Sequence, residues 1–222
     1  MTMLSKIEDA LKDLENGKML IVVDDENREN EGDFIMPAQN ITAADVNFMA
    51  THGRGLICAP VSERISKKLG LPLMIERSED SMQTAFTVSV DAKNGVSTGI
   101  SAMDRALTLR LLADPAARPS EFTRPGHIFP LIAKDRGVLV RAGHTEAAVD
   151  LAILSGHNPV GVICEILAED GSAARMPELE KLAKKHHLKI ISIEDLVDFK
   201  LRHSIDPKEV YAGFGREFNI RL

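Results

Sequence analysis

The sequence lacks a long apolar run and has few cysteines, and both absences narrow what the chain can be. No stretch approaches the roughly 20 apolar residues that cross a bilayer, so we expect no membrane-spanning segment. The two cysteines, Cys58 and Cys164, form no CxxC pair and lie in apolar runs. We therefore expect reduced, buried thiols rather than a zinc site or a disulfide. The N-terminal segment is acidic and amphipathic, unlike a secretory signal, so we expect a cytoplasmic protein.

Positive charge is also in deficit. The 222 residues include 33 acidic and 27 basic side chains, a net charge of −6. A chain of this sign repels phosphate backbones, so we expect neither a nucleic-acid nor a membrane partner. The sequence also lacks GxSxG, P-loop, GxGxxG and HExxH motifs. These absences disfavour acyl hydrolases, nucleotide hydrolases and dinucleotide-dependent enzymes.

Apolar periodicity predicts short strands interspersed with helices, about eight strands and about seven helices. Strands are predicted at 19–23, 34–37, 56–59, 86–90, 127–133, 138–141, 160–167 and 189–193. Helix starts are indicated by Thr42, Ser62, Ser101 and Ser192. The class is α+β, with one domain over residues 1–200 in which helices pack on a mixed sheet as an α/β sandwich. The tail, 201–222, is either an ordered arm on a neighbour or a frayed end.

The most acidic segment, 24–33, reads DDENRENEGD and begins where a predicted strand ends. Carboxylates at this density repel one another unless a cation neutralises them, and hard oxygen ligands suit Mg²⁺ or Mn²⁺. Gly32 is expected to let the backbone bend so that the side chains converge. A solvated acidic turn is the alternative.

A second segment, RAGHT at 141–145, lies between a predicted strand and a predicted helix. A helix N-terminus binds phosphate well, Arg141 offers a bidentate fork, and Gly143 permits close approach. Thr145 adds a hydroxyl, and His144 can be a neutral metal ligand. The alternative is a loop with a capping threonine and a chance histidine.

Three further features carry groups suited to chemistry. Glu165 lies in an apolar strand, where an acid must be paired, bound to metal or directed at water. His127 follows the Pro125–Gly126 turn at the start of an apolar run and is either functional or structural. In the segment 97–105, Thr98 and Ser101 offer hydroxyls, while Asp104 and Arg105 are expected to pair with each other.

Seven motifs in this order closely resemble the 3,4-dihydroxy-2-butanone 4-phosphate synthase family of riboflavin biosynthesis. The resemblance covers about Ile7 to Phe199. The motifs are DDENRENEGD at 24–33, GLICAP at 55–60, AFTVSVDA at 85–92, STGISAMDRA at 97–106, RPGHIFPL at 124–131, RAGHTEAAVDL at 141–151 and GVICEIL at 161–167. The resemblance implies a lyase that converts D-ribulose 5-phosphate to L-3,4-dihydroxy-2-butanone 4-phosphate and formate. It also implies a reaction dependent on Mg²⁺ or Mn²⁺, through an enediolate and a skeletal rearrangement.

The resemblance further implies an α+β sandwich, a homodimer with shared active sites, and a role for individual residues. The implied metal ligands are Glu29 and His144. The implied substrate contacts or proton-transfer groups are Arg28, Glu31 and Asp33. The implied phosphate cradle is Arg141, Gly143 and Thr145. Residues implied to be essential for catalysis are His127 and Glu165, the latter also contacting substrate. Pocket-lining residues are Cys58 and Thr98.

In some members of this family a GTP cyclohydrolase II domain follows, with a cysteine zinc cluster. The chain has no such cluster, so we expect a monofunctional protein. Two other functions are weighed against the lyase: a non-catalytic sugar-phosphate binding protein, and a metal-dependent isomerase or aldolase. A pure binder needs a phosphate cradle but not the four groups Glu29, His127, His144 and Glu165.

Overall fold

A mixed sheet of seven strands is formed by residues 4–203, the part of the chain that the computed structural model describes. The strands are β1 Leu20–Val23, β2 Gly32–Pro37, β3 Cys58–Ser62, β4 Val90–Ala92, β5 Phe122–Ala133, β6 Gly161–Glu165 and β7 Lys189–Ser192. Their order is β4-β5-β3-β6-β2-β1-β7. The pairs β1–β7 and β3–β5 are parallel, and the remaining neighbours are antiparallel.

Seven α-helices accompany the sheet over the same described residues. They are α1 Ile7–Glu15, α2 Ala43–Phe48, α3 Glu63–Leu69, α4 Ala102–Ala113, α5 His144–Leu154, α6 Met176–His186 and α7 Ile193–Arg202. Every residue of α5 is buried, and this helix contacts β2, β3, β5 and β6. The predicted α+β class with a mixed sheet is therefore confirmed.

The helix starts follow from local capping. The side-chain oxygens of Thr42, Ser62, Ser101 and Ser192 each accept the backbone N–H of the residue three positions later. Such a bond satisfies one of the N–H groups that a helix leaves without a partner at its first turn. All four predicted starts are confirmed.

Two predicted strands are wrong. Residues 138–141 form no strand, since a 3-10 turn at Gly137–Leu139 takes their place. Arg136 and Gly137 there have φ of 72° and 62°, and the Asp150 carboxylate accepts the Val138 N–H at 2.9 Å. The strand predicted at 86–90 shifts to Val90–Ala92. Because no strand forms at 138–141, the described part of the chain has seven strands and not eight. Conversely, β5 is longer than predicted and continues through Pro130.

Both cysteines are buried and unpaired, as predicted. Burial raises the pKa of Cys164 to about 12, so its thiol stays protonated at neutral pH. Among the described residues, no helix is long and apolar enough to cross a membrane. Most of the predicted tail, 201–222, lies outside the described residues, which end at His203. The two alternatives for it, an ordered arm or a frayed end, therefore stay predictions.

A buried ion pair joins α7 to α5. The Lys200 ammonium lies 2.6 Å from the Asp150 carboxylate, and both side chains are 1% exposed. Asp150 also holds the 3-10 turn through the Val138 N–H. This pair therefore fixes the loop that leads into the 141–145 segment.

We predict that Lys200→Met lowers the free energy of unfolding by about 3 kcal/mol, because the Asp150 charge would remain buried without its cation. Urea denaturation measures the change. The matched control is Lys184→Met on the exposed face of α6, where the expected change is within about 0.5 kcal/mol. Equal losses in the two variants would contradict the prediction.

Candidate active site

The acidic loop after β1 is folded around Asp24, whose carboxylate is buried. One oxygen accepts the Glu31 N–H at 2.8 Å, and the other accepts the Glu29 N–H at 3.0 Å and the Arg28 guanidinium at 2.8 Å. These bonds close the loop, so Asp24 orients the residues that follow it. This residue was not singled out from the sequence, although it is the first acid after a buried strand.

The bend in this loop differs from the expected one. Asn30 makes it, with a φ of 53° in the left-handed region. Gly32 lies in β2 instead, where a Cβ atom would overlap the side chain of Leu179 from α6. The glycine is thus explained by close packing of α6 on β2, and not by backbone flexibility.

Asp24, Glu29 and His144 form a cluster of potential metal ligands. One ligand atom from each lies within 4.8 Å of the others. The Nε2 atom of His144 lies 3.1 Å from the Val22 carbonyl oxygen and must donate to it, because a carbonyl only accepts. Its Nδ1 atom therefore carries a lone pair, 4.0 Å from a Glu29 oxygen. Burial lowers the pKa of His144, which favours the neutral form that binds metal.

These three side chains fit a hard divalent cation. The two carboxylates supply the oxygen ligands that suit Mg²⁺ and Mn²⁺, and the neutral imidazole adds one nitrogen ligand. The predicted ligands Glu29 and His144 are thus brought together. Arg28 pairs with both Asp24 and Glu29, which offsets part of their negative charge.

An anion cradle adjoins this cluster at the N-terminus of α5. Gly143 is the N-cap, and a Cβ atom there would overlap the guanidinium groups of Arg28 and Arg141. The first helical bond runs from the Ala147 N–H to the Gly143 carbonyl, so the preceding N–H groups have no helical partner. Two guanidinium groups and a helix N-terminus converge there, an arrangement suited to phosphate.

Arg141 is held in place by two other segments. It donates to the Glu146 carboxylate at 2.6 Å, and to the Met82 carbonyl and the Thr84 hydroxyl at 3.0 and 3.2 Å. Glu146 was missed from the sequence, because an acid five residues beyond an arginine gives no specific signal. Thr145 is buried beside these groups in the first turn of α5.

A second set of acids lies on the neighbouring strands. Asp33 of β2 pairs in register with Glu165 of β6. Asp33 is buried, and among the described residues its Oδ1 atom has no hydrogen-bond partner. Burial raises the pKa of Asp33 well above its usual range, and the Glu165 and Glu31 charges raise it further. Burial and the Glu29 charge likewise raise the pKa of Glu31.

Cys58 and Glu165 complete this group. Burial raises the pKa of Cys58 strongly, and the charges of Glu165 and Asp33 add to the effect. Glu165 accepts the Leu56 N–H at 2.7 Å, so this acid is anchored and not simply directed at water. The thiol is therefore a neutral neighbour of the carboxylates rather than a nucleophile.

His127 and Thr98 lie elsewhere in the described part of the chain. His127 is on β5, and Thr98 is on the exposed loop before α4. Neither forms a hydrogen bond or ion pair with the acids described above, from the 24–33 segment and from β6. His127 pairs instead with Asp91, a residue that was missed from the sequence although the AFTVSVDA motif contains it. The predicted Asp104–Arg105 pair is wrong, because Asp104 accepts the Ser97 hydroxyl and the Gly99 N–H.

Comparison with known proteins shows which family the sequence of this chain matches. The sequence profile of 3,4-dihydroxy-2-butanone 4-phosphate synthase matches residues 8–199. The riboflavin biosynthesis protein RibBA of Bacillus cytotoxicus is 55% identical over 217 residues, which is 97% of this chain and 54% of that protein. RibBA of Bacillus mycoides is 57% identical over 90% of this chain and 50% of its own length. The chain thus spans about half the length of these curated relatives.

Solved structures agree with the sequence relatives. A 3,4-dihydroxy-2-butanone 4-phosphate synthase in complex with two magnesium ions has a TM-score of 0.86 and 42% identity, over 89% of this chain and 97% of that one. The enzyme of Candida albicans has a TM-score of 0.83 and 45% identity, over 89% and 98%. Likeness at this level of identity and coverage supports the same family as the sequence relatives do.

The burial of Asp33 leads to a stability prediction. A raised folded-state pKa means that the charged form opposes folding at neutral pH, and the native state is favoured where the carboxyl is protonated. We predict that Asp33→Asn raises the free energy of unfolding at pH 7 by about 1 kcal/mol, with chelator present. The gain should vanish below about pH 4, where Asp33 is neutral in both states. Urea denaturation across this range measures it, and a loss of stability at pH 7 would contradict it.

Proposed function

This chain belongs to the 3,4-dihydroxy-2-butanone 4-phosphate synthase family, and we propose that it catalyses that family's reaction in riboflavin biosynthesis. The substrate is D-ribulose 5-phosphate, and the products are L-3,4-dihydroxy-2-butanone 4-phosphate and formate. The two products together contain all atoms of the substrate, so no oxidant or co-substrate is needed. This balance agrees with a sequence that has no nucleotide-binding motif.

One observation carries the proposal: the candidate metal ligand His144 and the cradle glycine Gly143 are consecutive residues at the start of one buried helix. A phosphate held at Gly143, Arg28 and Arg141 therefore lies next to the ligands Glu29 and His144. One phosphorylated sugar can therefore place its phosphate in the cradle and its oxygen atoms at the metal ligands. The same helix end supplies the N–H groups for the phosphate and the imidazole for the cation.

We assign the cofactor as Mg²⁺ or Mn²⁺, held by Glu29 and His144 with Asp24 beside them. A bound divalent cation supplies Lewis-acid polarisation of the substrate's carbonyl and hydroxyl oxygens. Arg28 and Arg141, with the N-terminus of α5, orient the phosphate.

Proton transfer falls to the carboxyl groups on β2 and β6. Burial favours the protonated form of Asp33, which can donate a proton to a departing hydroxyl. Glu165 is anchored by the Leu56 N–H and can accept a proton beside it. Glu31 carries a raised pKa between these acids and the metal ligands and can relay a proton. Cys58 lines the same pocket.

We also propose that the chain forms a homodimer and that His127 and Thr98 act in the site of the partner copy. Within one chain, these residues share no hydrogen bond with the described acidic cluster. Ile100 and Met103, which follow Thr98, are 54% and 70% exposed and offer apolar surface for such an interface. A cytoplasmic location is supported by the two unpaired cysteines. The absence of nucleic-acid or membrane partners stays a prediction from charge.

The first test is an NMR time course with ribulose 5-phosphate labelled with ¹³C at C4. Labelled formate that appears with the four-carbon ketone phosphate, and only with Mg²⁺, supports the lyase. Pentose isomers without formate would support the isomerase. Unchanged substrate whose signals broaden with protein would support a binding protein. A parallel reaction with chelator tests the metal dependence.

The ligand assignment gives a further prediction. Glu29→Gln and His144→Ala should each lower formate production at least about 100-fold, because the Lewis-acid effect of the bound cation is lost with its ligand. The matched control, Glu26→Gln, alters an exposed acid of the same loop and should retain wild-type activity. Binding of Mn²⁺, followed by water proton relaxation, should weaken in the first two variants only. Full activity in either ligand variant would contradict the assignment.

A further inference from the structure

A second polar pair, Asp91 and His127, lies on the antiparallel strands β4 and β5, apart from the acids of the candidate site. The Asp91 carboxylate makes two bonds to one residue. One oxygen accepts the backbone N–H of His127 at 2.9 Å, and the other lies 2.6 Å from the Nδ1 atom of its ring. The carboxylate thus fixes both the backbone position and the ring orientation of His127.

This contact selects one tautomer of the imidazole. A carboxylate oxygen can only accept, so Nδ1 must be the protonated nitrogen. In the neutral ring the Nε2 atom then carries the lone pair. The negative charge of Asp91 would also stabilise the imidazolium that forms when Nε2 takes up a proton.

The pair is built into the fold and opens outward. Asp91 follows an irregularity in the pairing of β4 with β5, and its side chain is 9% exposed. Gly99, with a φ of 93°, covers the bond, because a Cβ atom there would overlap both Asp91 and His127. The His127 side chain is 40% exposed. The inner edge of the ring is therefore held, while the outer edge reaches the surface.

The loop that carries Gly99 is fixed in its turn. The Asp104 carboxylate accepts the Ser97 hydroxyl at 2.7 Å and the Gly99 N–H at 3.1 Å. Asp104 is itself held by the Ser101 cap at the start of α4. Gly99, which packs over the Asp91–His127 bond, is thus fixed by a hydrogen bond to the first turn of α4.

We propose that Asp91 is a positioning residue for His127, which it holds in the Nδ1–H tautomer so that Nε2 is presented outward as a proton acceptor. This inference rests on the proposed function, in which His127 acts in the site of the partner copy, and it adds His127 to the carboxyl groups that transfer protons there. Asp91 itself touches no substrate. A purely structural role would need only the bond to the His127 backbone N–H.

Asp91→Asn separates these two roles. Asparagine keeps an oxygen for the backbone N–H but places an amide donor against Nδ1, which forces the proton onto Nε2. We expect kcat to fall at least about 100-fold, because the outward nitrogen no longer accepts a proton. KM for ribulose 5-phosphate should stay within about threefold, since the phosphate cradle is unchanged. The matched control is Asp198→Asn, an exposed acid on α7, with wild-type kcat expected.

The tautomer is measured directly by long-range ¹H–¹⁵N correlation NMR on histidine-labelled full-length protein, with His127 assigned from His127→Gln. We expect Nδ1–H in the wild type and Nε2–H in Asp91→Asn. A wild-type ring protonated at Nε2 would overturn the inference, and this readout does not depend on the variant folding. An Asp91→Asn protein with wild-type kcat would also overturn it. Failure of the proposed function is distinct, because the wild type would then release no formate whatever the tautomer.

Discussion

The hydrogen bond from His144 to the Val22 carbonyl joins the two segments on which the candidate site depends. His144 is the first residue of α5, a helix buried along its whole length, and Val22 lies in β1 just before the acidic loop. Because interiors are close-packed, α5 cannot shift without opening the core. The bond therefore fixes the imidazole, the helix N-terminus and the start of the acidic loop as one rigid unit. The proposed phosphate cradle and the proposed cation ligands keep their spacing for this reason.

The same unit concentrates negative charge that a folded protein would otherwise avoid. Two sets of contacts offset this charge: Arg28 pairs with two acids, and backbone N–H groups bond Asp24. Burial also favours the neutral form of Asp33, at a cost in stability. The Arg28 guanidinium is shared between Asp24 and Glu29, so it offsets only part of the charge repulsion around Glu29. A divalent cation would relieve it, so the arrangement that weakens the apoprotein is also the one that favours metal binding. Stability and function oppose each other at these residues, as is expected of a functional site where like charges lie close together.

A structural feature of this protein can be predicted from the sequence when the residues that cause it are close together in the chain. Helix starts at Thr42 and Ser192 are predicted because the cap and its partner are three residues apart. The acidic segment and the 141–145 segment are predicted as sites because their groups are dense within a few positions. The turn at 137–139 is missed because it depends on Asp150 of α5. A carboxylate on a separate helix leaves no trace in the sequence of the turn that it organises.

The position of His127 is the clearest non-local effect. Strand β3 separates its strand, β5, from β6, where Glu165 lies, so one chain holds its proton-transfer groups in two places. Asp91, 36 residues away in sequence, orients the ring before any partner arrives. Under the proposed dimer, association then brings an already oriented imidazole to a metal site that is already rigid. Little conformational entropy remains to be lost at the moment of assembly, because each half of the site is organised by its own chain. The division of the site between two copies is therefore compatible with precise geometry.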